Sequence, residues 1–109
     1  MTVRDWIVRH SASVPDALTE RVLDILGGDG DQAGARTGEL CLAAATRSLE
    51  ELLADARYGR DGALHLLAID ALMTFAFEHA GESDATPEAL RKLASHGART
   101  MAQLATARG

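Results

Sequence analysis

The chain has 109 residues, 47% of them hydrophobic, and a formal net charge of −5; this length fits one domain, residues 1–109, built around one core. An acidic total without a dense Lys/Arg run, a metal-finger pattern or an aromatic-rich RNA-binding strand disfavours nucleic acid as a partner. Cys41 is the single cysteine, which excludes an intrachain disulfide and a cysteine-rich metal site and makes a buried small side chain the expectation.

In chain order, the spacing of Thr2 and Asp5 offers a variant of the capping box and a short helix over about Val3–His10, with Trp6 and Ile7 turned inward. Arg4, Asp5, Arg9 and His10 break up any long apolar signal segment, so the expected location is cytoplasmic. Ser13-Val14-Pro15-Asp16 starts a second helix, with Pro15 suited to its first turn and Asp16 to its positive end. Leu18, Val22, Ile25 and Leu26 form its apolar stripe, and Gly27-Gly28-Asp29-Gly30-Asp31 ends it.

The next helix is expected over about Gln32–Ala56. Leu42, Ala45, Leu49, Leu52, Leu53 and Ala56 share one side of it, while Arg47, Glu50, Glu51 and Ala54 point away. A turn at Tyr58-Gly59-Arg60-Asp61-Gly62 precedes a helix reaching about His79 that is apolar around most of its circumference. Such a helix packs against several others or against another subunit. It is too short and too often interrupted by polar residues to read as a membrane span. Gly81–Ala85 is a break, and Thr86 caps a last helix with Pro87 and Glu88 in its first turn. Leu90, Leu93, Ala94, Gly97, Ala98, Met101, Leu104 and Ala105 form its packing side; Lys92, His96, Arg99 and Gln103 lie opposite. The expected architecture is all-α, a compact bundle of four main helices plus the short N-terminal helix.

Asp70 interrupts the apolar run from Leu64 to Phe77. At about 100° per residue, Leu66, Leu67, Met73 and Phe77 surround its direction, and an unpaired carboxylate buried among them is costly. Asp70 is therefore expected to be at least partly buried, with an Arg, a His or a water as partner. With Thr74 and Glu78 it forms an i, i+4, i+8 strip of two carboxylates and a hydroxyl, the candidate ligand-binding residues.

Glu50 and Glu51 resemble the paired carboxylates of helical nucleoside-triphosphate pyrophosphatases, which hold magnesium and phosphate groups. The pattern departs at Ala54, where that family has a further Glu, and at Gly81, where its distant Glu-x-x-Asp block has Asp. The pair also suits an exposed helix face, with Arg47 screening Glu51 one turn away. His10, His65, His79 and His96 have no zinc-site spacing, no serine sits in a nucleophile motif, and the glycines at 27, 28 and 30 do not make a phosphate-binding fingerprint. No cofactor, metal or catalytic residue is expected. The favoured function is a helical protein–protein interaction or structural module, a homo-oligomer or a partner of another helical protein, without membrane attachment. The alternative is a small-ligand-binding bundle with a polar site around Asp70, extending at most to a metal-assisted hydrolase.

Overall fold

A computed structural model describes residues 1–55 and 59–82, together with Arg91, Ser95 and Arg99. The α-helices are α1 (Val3–Arg9), α2 (Asp16–Leu26), α3 (Thr37–Ala54) and α4 (Arg60–Glu82). The chain is an all-α bundle with a short N-terminal helix. The turn at 83–85 and the packing side expected for the helix from Thr86 lie outside the described residues; Arg91, Ser95 and Arg99 have helical backbone and are exposed.

Local signals start the first helix as expected. The Thr2 side chain accepts the Asp5 N–H at 3.1 Å, and the Asp5 carboxylate accepts the Thr2 N–H at 3.0 Å, closing a reciprocal capping box. These bonds also hold the Asp5 carboxyl below its ordinary pKa. Gly27, with φ of 53°, takes the chain out of α2 into a 3₁₀ turn over Gly27–Asp31.

α3 begins at Thr37, five residues later than expected, because Gln32–Gly34 pair with the chain's first residues instead of joining the helix. Val3 N–H donates to the Gln32 carbonyl at 2.9 Å and Gly34 N–H to the Met1 carbonyl at 2.8 Å, around an antiparallel bridge between Thr2 and Ala33. A Cβ on Gly34 would stand 3.0 Å from the Met1 carbonyl oxygen, so the missing side chain permits this approach. α4 in turn runs through Gly81 to Glu82 rather than stopping near His79.

The most extensive packing is between α3 and α4, with α2 laid across both. Cys41, Ala44, Ala45 and Leu49 of α3 meet a core that includes Ala68, Ile69, Leu72, Phe75 and Ala76 of α4. The alanines bring the two backbones close. α1 adds Val3, Trp6 and Ile7, and α2 adds Val22 and Leu26. Removing these side chains from water is the main driving term for the bundle.

Candidate functional site

α4 divides into two faces. Ala68, Ile69, Leu72, Phe75 and Ala76 are buried, whereas Ala63, Leu66, Leu67, Asp70, Thr74, Phe77, Glu78 and Gly81 are all exposed. Between Ala63 and Gly81, at 3.6 residues per turn, the exposed set falls within a sector of about 120°. Asp70 is thus on the outer face, not buried as its neighbours suggested. Leu66, Leu67 and Phe77 do flank it, but they are 51%, 58% and 40% exposed themselves. Between Ala63 and Gly81 the opposite face has no carboxylate, and it takes the core position.

Thr74 and Glu78 share this exposed face with Asp70, so the strip is brought together as its spacing implied. The Thr74 hydroxyl donates to the Asp70 backbone carbonyl at 3.0 Å, a bond within one turn of its own helix. Neither the Asp70 nor the Glu78 carboxylate forms an ion pair among the described residues. By length and composition Asp61–Glu82, with mean hydropathy 1.2, is apolar enough to cross a membrane. Its inner face, however, is part of the bundle core, and Asp70 stands midway along its outer one.

The polar lock lies instead where α1 meets the end of α4. Trp6, the single tryptophan, is buried and donates its indole N–H to Glu82 Oε2 at 3.1 Å. His10 stacks on the Trp6 ring with centroids 3.8 Å apart, its Nδ1 2.8 Å from the Trp6 carbonyl and its Nε2 2.6 Å from Glu82 Oε1. Both imidazole nitrogens therefore face acceptors, a geometry that calls for the doubly protonated ring. Desolvation opposes that charge, but the bonds to Trp6 and Glu82 and the charges of Glu82 and Glu78 outweigh it, and the His10 pKa is raised. The bond from His10 in turn lowers the pKa of Glu82.

His79 makes a second connection. α3 has no side-chain cap of its own, and the Gly38 N–H, one of its unsatisfied first-turn donors, finds His79 Nδ1 at 3.1 Å. Sequence spacing carries no sign of these contacts, since His10 and Glu82 are 72 residues apart and Gly38 and His79 are 41 apart. The one available cue is that a buried Trp needs an acceptor for its N–H.

Between α2, α3 and α4 lies an open cleft of about 380 Å³ lined by Arg21, Asp24, Ile25, Arg47, Ser48, Glu51 and His65. Arg21 is already paired with Asp61 at 2.8 Å. Arg47 reaches the Ile25 carbonyl at 3.4 Å, where it supplies positive charge at the end of α2, instead of screening Glu51. The buried Nδ1 of His65 has no hydrogen-bond partner among the described residues. Two arginines against two carboxylates leave the cleft without a net pull on either sign of ion. No group of three or more His, Cys, Asp or Glu among the described residues is placed to hold a metal ion.

Compared with protein-family models, curated proteins and solved structures, the chain matches none.

Proposed function

We propose that this protein is a helical self-association module whose contact surface is the outer face of α4. The observation that carries the reading is the exposure of Leu66, Leu67 and Phe77 together on one face of a helix whose other face is already spent on the core. Scattered exposed apolar residues are ordinary, but three on one stripe of one helix form a patch. Fully burying a Leu or Phe side chain is worth about 1.5–3 kcal/mol, and half of that is still to be gained at these positions. Two copies burying the patch gain roughly 4–9 kcal/mol, similar to an association cost of about 4–15 kcal/mol. Association is then reversible and concentration-dependent, and polar groups along the same face decide its strength.

Sedimentation velocity from low to high protein concentration tests this reading. The wild-type coefficient rises with concentration, and the Leu67→Lys variant sediments as a monomer throughout with its helical circular dichroism intact. A wild type that stays monomeric at every concentration rejects the reading, as does association unaltered by Leu67→Lys. Partition of the wild type into lipid vesicles in place of self-association rejects it too, by assigning the face to a membrane.

A further inference from the structure

The cleft between α2, α3 and α4 holds charges of both signs that do not neutralise one another. α2 brings Arg21 and Asp24 to it, three residues apart, and α3 brings Arg47 and Glu51, four apart. Residues at these spacings share a helix face, so each helix supplies one cation and one carboxylate to the lining. Arg21 pairs with Asp61 rather than with Asp24. Arg47 reaches the Ile25 carbonyl, at 3.4 Å, rather than Glu51; an i, i+4 pair with the cation on the N-terminal side is the weaker order. Asp24, Arg47 and Glu51 form no ion pair among the described residues. α4 adds His65, whose buried Nδ1 has no hydrogen-bond partner among the described residues. A buried polar atom of this kind calls for a bonding group to reach it.

A lone ion gains little in such a cleft, because every charge that attracts it has a repelling one close by. A molecule carrying both charges meets each with its opposite. We infer that the cleft is a binding site for a small zwitterion, an amino acid or dipeptide, whose carboxylate is taken by Arg47 and whose ammonium is taken by Asp24 and Glu51. At 1.5 Å rise per residue Arg47 and Glu51 are about 6 Å apart along the α3 axis, and an extended dipeptide spans at most about 7 Å. The cleft volume of about 380 Å³ lies within the range of small-molecule sites, about 300–1,000 Å³. The guanidinium of Arg47 matches a carboxylate with two parallel N–H donors, and its long bond to Ile25 is readily given up. The His65 imidazole turns about χ2, a soft two-fold torsion, to offer Nδ1 to a ligand N–H. Ile25 is the one apolar side chain among the described lining residues, so charge and hydrogen bonds supply the affinity, which is weak and falls as salt rises. This site is independent of the self-association reading.

Glycylglycine titrated into the full chain at low salt, followed by NMR of the backbone amide, arginine and imidazole signals, tests the inference. The signals of Asp24, Arg47, Ser48, Glu51 and His65 shift to saturation with one dissociation constant. N-acetylglycylglycine, which lacks the ammonium, and glycylglycinamide, which lacks the carboxylate, each bind at least about tenfold more weakly. Arg47 and Glu51 are exposed, so Arg47→Gln and Glu51→Gln leave the helical circular dichroism intact. Arg47→Gln weakens glycylglycine at least about fivefold but leaves glycylglycinamide binding unchanged, and Glu51→Gln weakens glycylglycine while leaving N-acetylglycylglycine binding unchanged. A merely structural disturbance would weaken all three ligands alike. Absence of saturable shifts at the cleft, single-charge analogues that bind as tightly as glycylglycine, or shifts of equal size at charged residues elsewhere on the chain would overturn the site.

Discussion

Gly38→Ala is a substitution for which helix propensity and packing give opposite signs. In an exposed helix interior, Gly to Ala gains up to about 1 kcal/mol. Here a Cβ would stand 3.0 Å from His79 Nδ1 and 3.6 Å from the Ala76 carbonyl oxygen. His79 cannot withdraw freely, since its Nδ1 accepts the Gly38 N–H and its ring meets the edge or face of Trp6 with centroids 5.4 Å apart. Moving it loses a cap contact worth about 1 kcal/mol and disturbs a packed contact at a cost of about 1–3 kcal/mol. We therefore expect Gly38→Ala to destabilise the protein by about 1–3 kcal/mol, the propensity gain being the smaller quantity. His79→Ala removes the obstacle along with the cap, so adding Gly38→Ala to it stabilises, by up to about 1 kcal/mol. Urea unfolding followed by the fluorescence of Trp6 gives all four stabilities of this cycle. Stabilisation by Gly38→Ala alone, equal to that in the His79→Ala background, would refute the argument, because the imidazole would then not restrict this position.

Cys41 gives a second prediction. Its thiol is buried and pushed up to about 12 by desolvation, so iodoacetamide at neutral pH leaves the native protein unmodified and alkylates it only once urea unfolds it; rapid native labelling contradicts the burial. Stability should also follow the His10–Glu82 pair. The raised His10 pKa stabilises fully below the ordinary value of 6.5 and is lost as pH rises through the folded value. The lowered Glu82 pKa acts above the ordinary value of 4.5 and is lost as pH falls through its folded value. The pair contributes most between those two ordinary values, and His10→Gln loses less stability than wild type when pH is raised from that window to pH about 8.5; equal losses in urea titrations count against the contact.

Features set by neighbours in sequence were legible in it. Thr2 and Asp5 specify their capping box, Gly27 ends α2, and of the apolar stripe on α3 Leu42, Ala45, Leu49 and Leu52 are buried as its period implies, Leu53 is half-buried, and Ala56 lies outside the described residues. The delayed start of α3 was not legible, since it follows from pairing of Gln32–Gly34 with the first residues of the chain. Asp70 illustrates the limit of reading one face at a time. Apolar neighbours do not bury a carboxylate when the opposite face, with Ile69, Leu72 and Phe75, is more completely apolar. The strip of Asp70, Thr74 and Glu78 was readable as a strip, but which way it faces is decided by competition between the two sides of α4. The contacts among Trp6, His10 and Glu82 arise only when the chain closes, so local spacing holds no trace of them.

Methyl and aromatic NMR spectra recorded through a dilution series test the self-association face most directly. Met1 and Val8 are exposed apolar residues outside α4, 66% and 57% exposed, and act as internal controls. On concentration, the signals of Leu66, Leu67 and Phe77 shift together with one dissociation constant, while those of Met1 and Val8 stay in place. Shifts centred on Met1 or Val8, or no concentration dependence at Leu66, Leu67 and Phe77, would contradict the assignment of the outer face of α4 as the surface through which the protein associates.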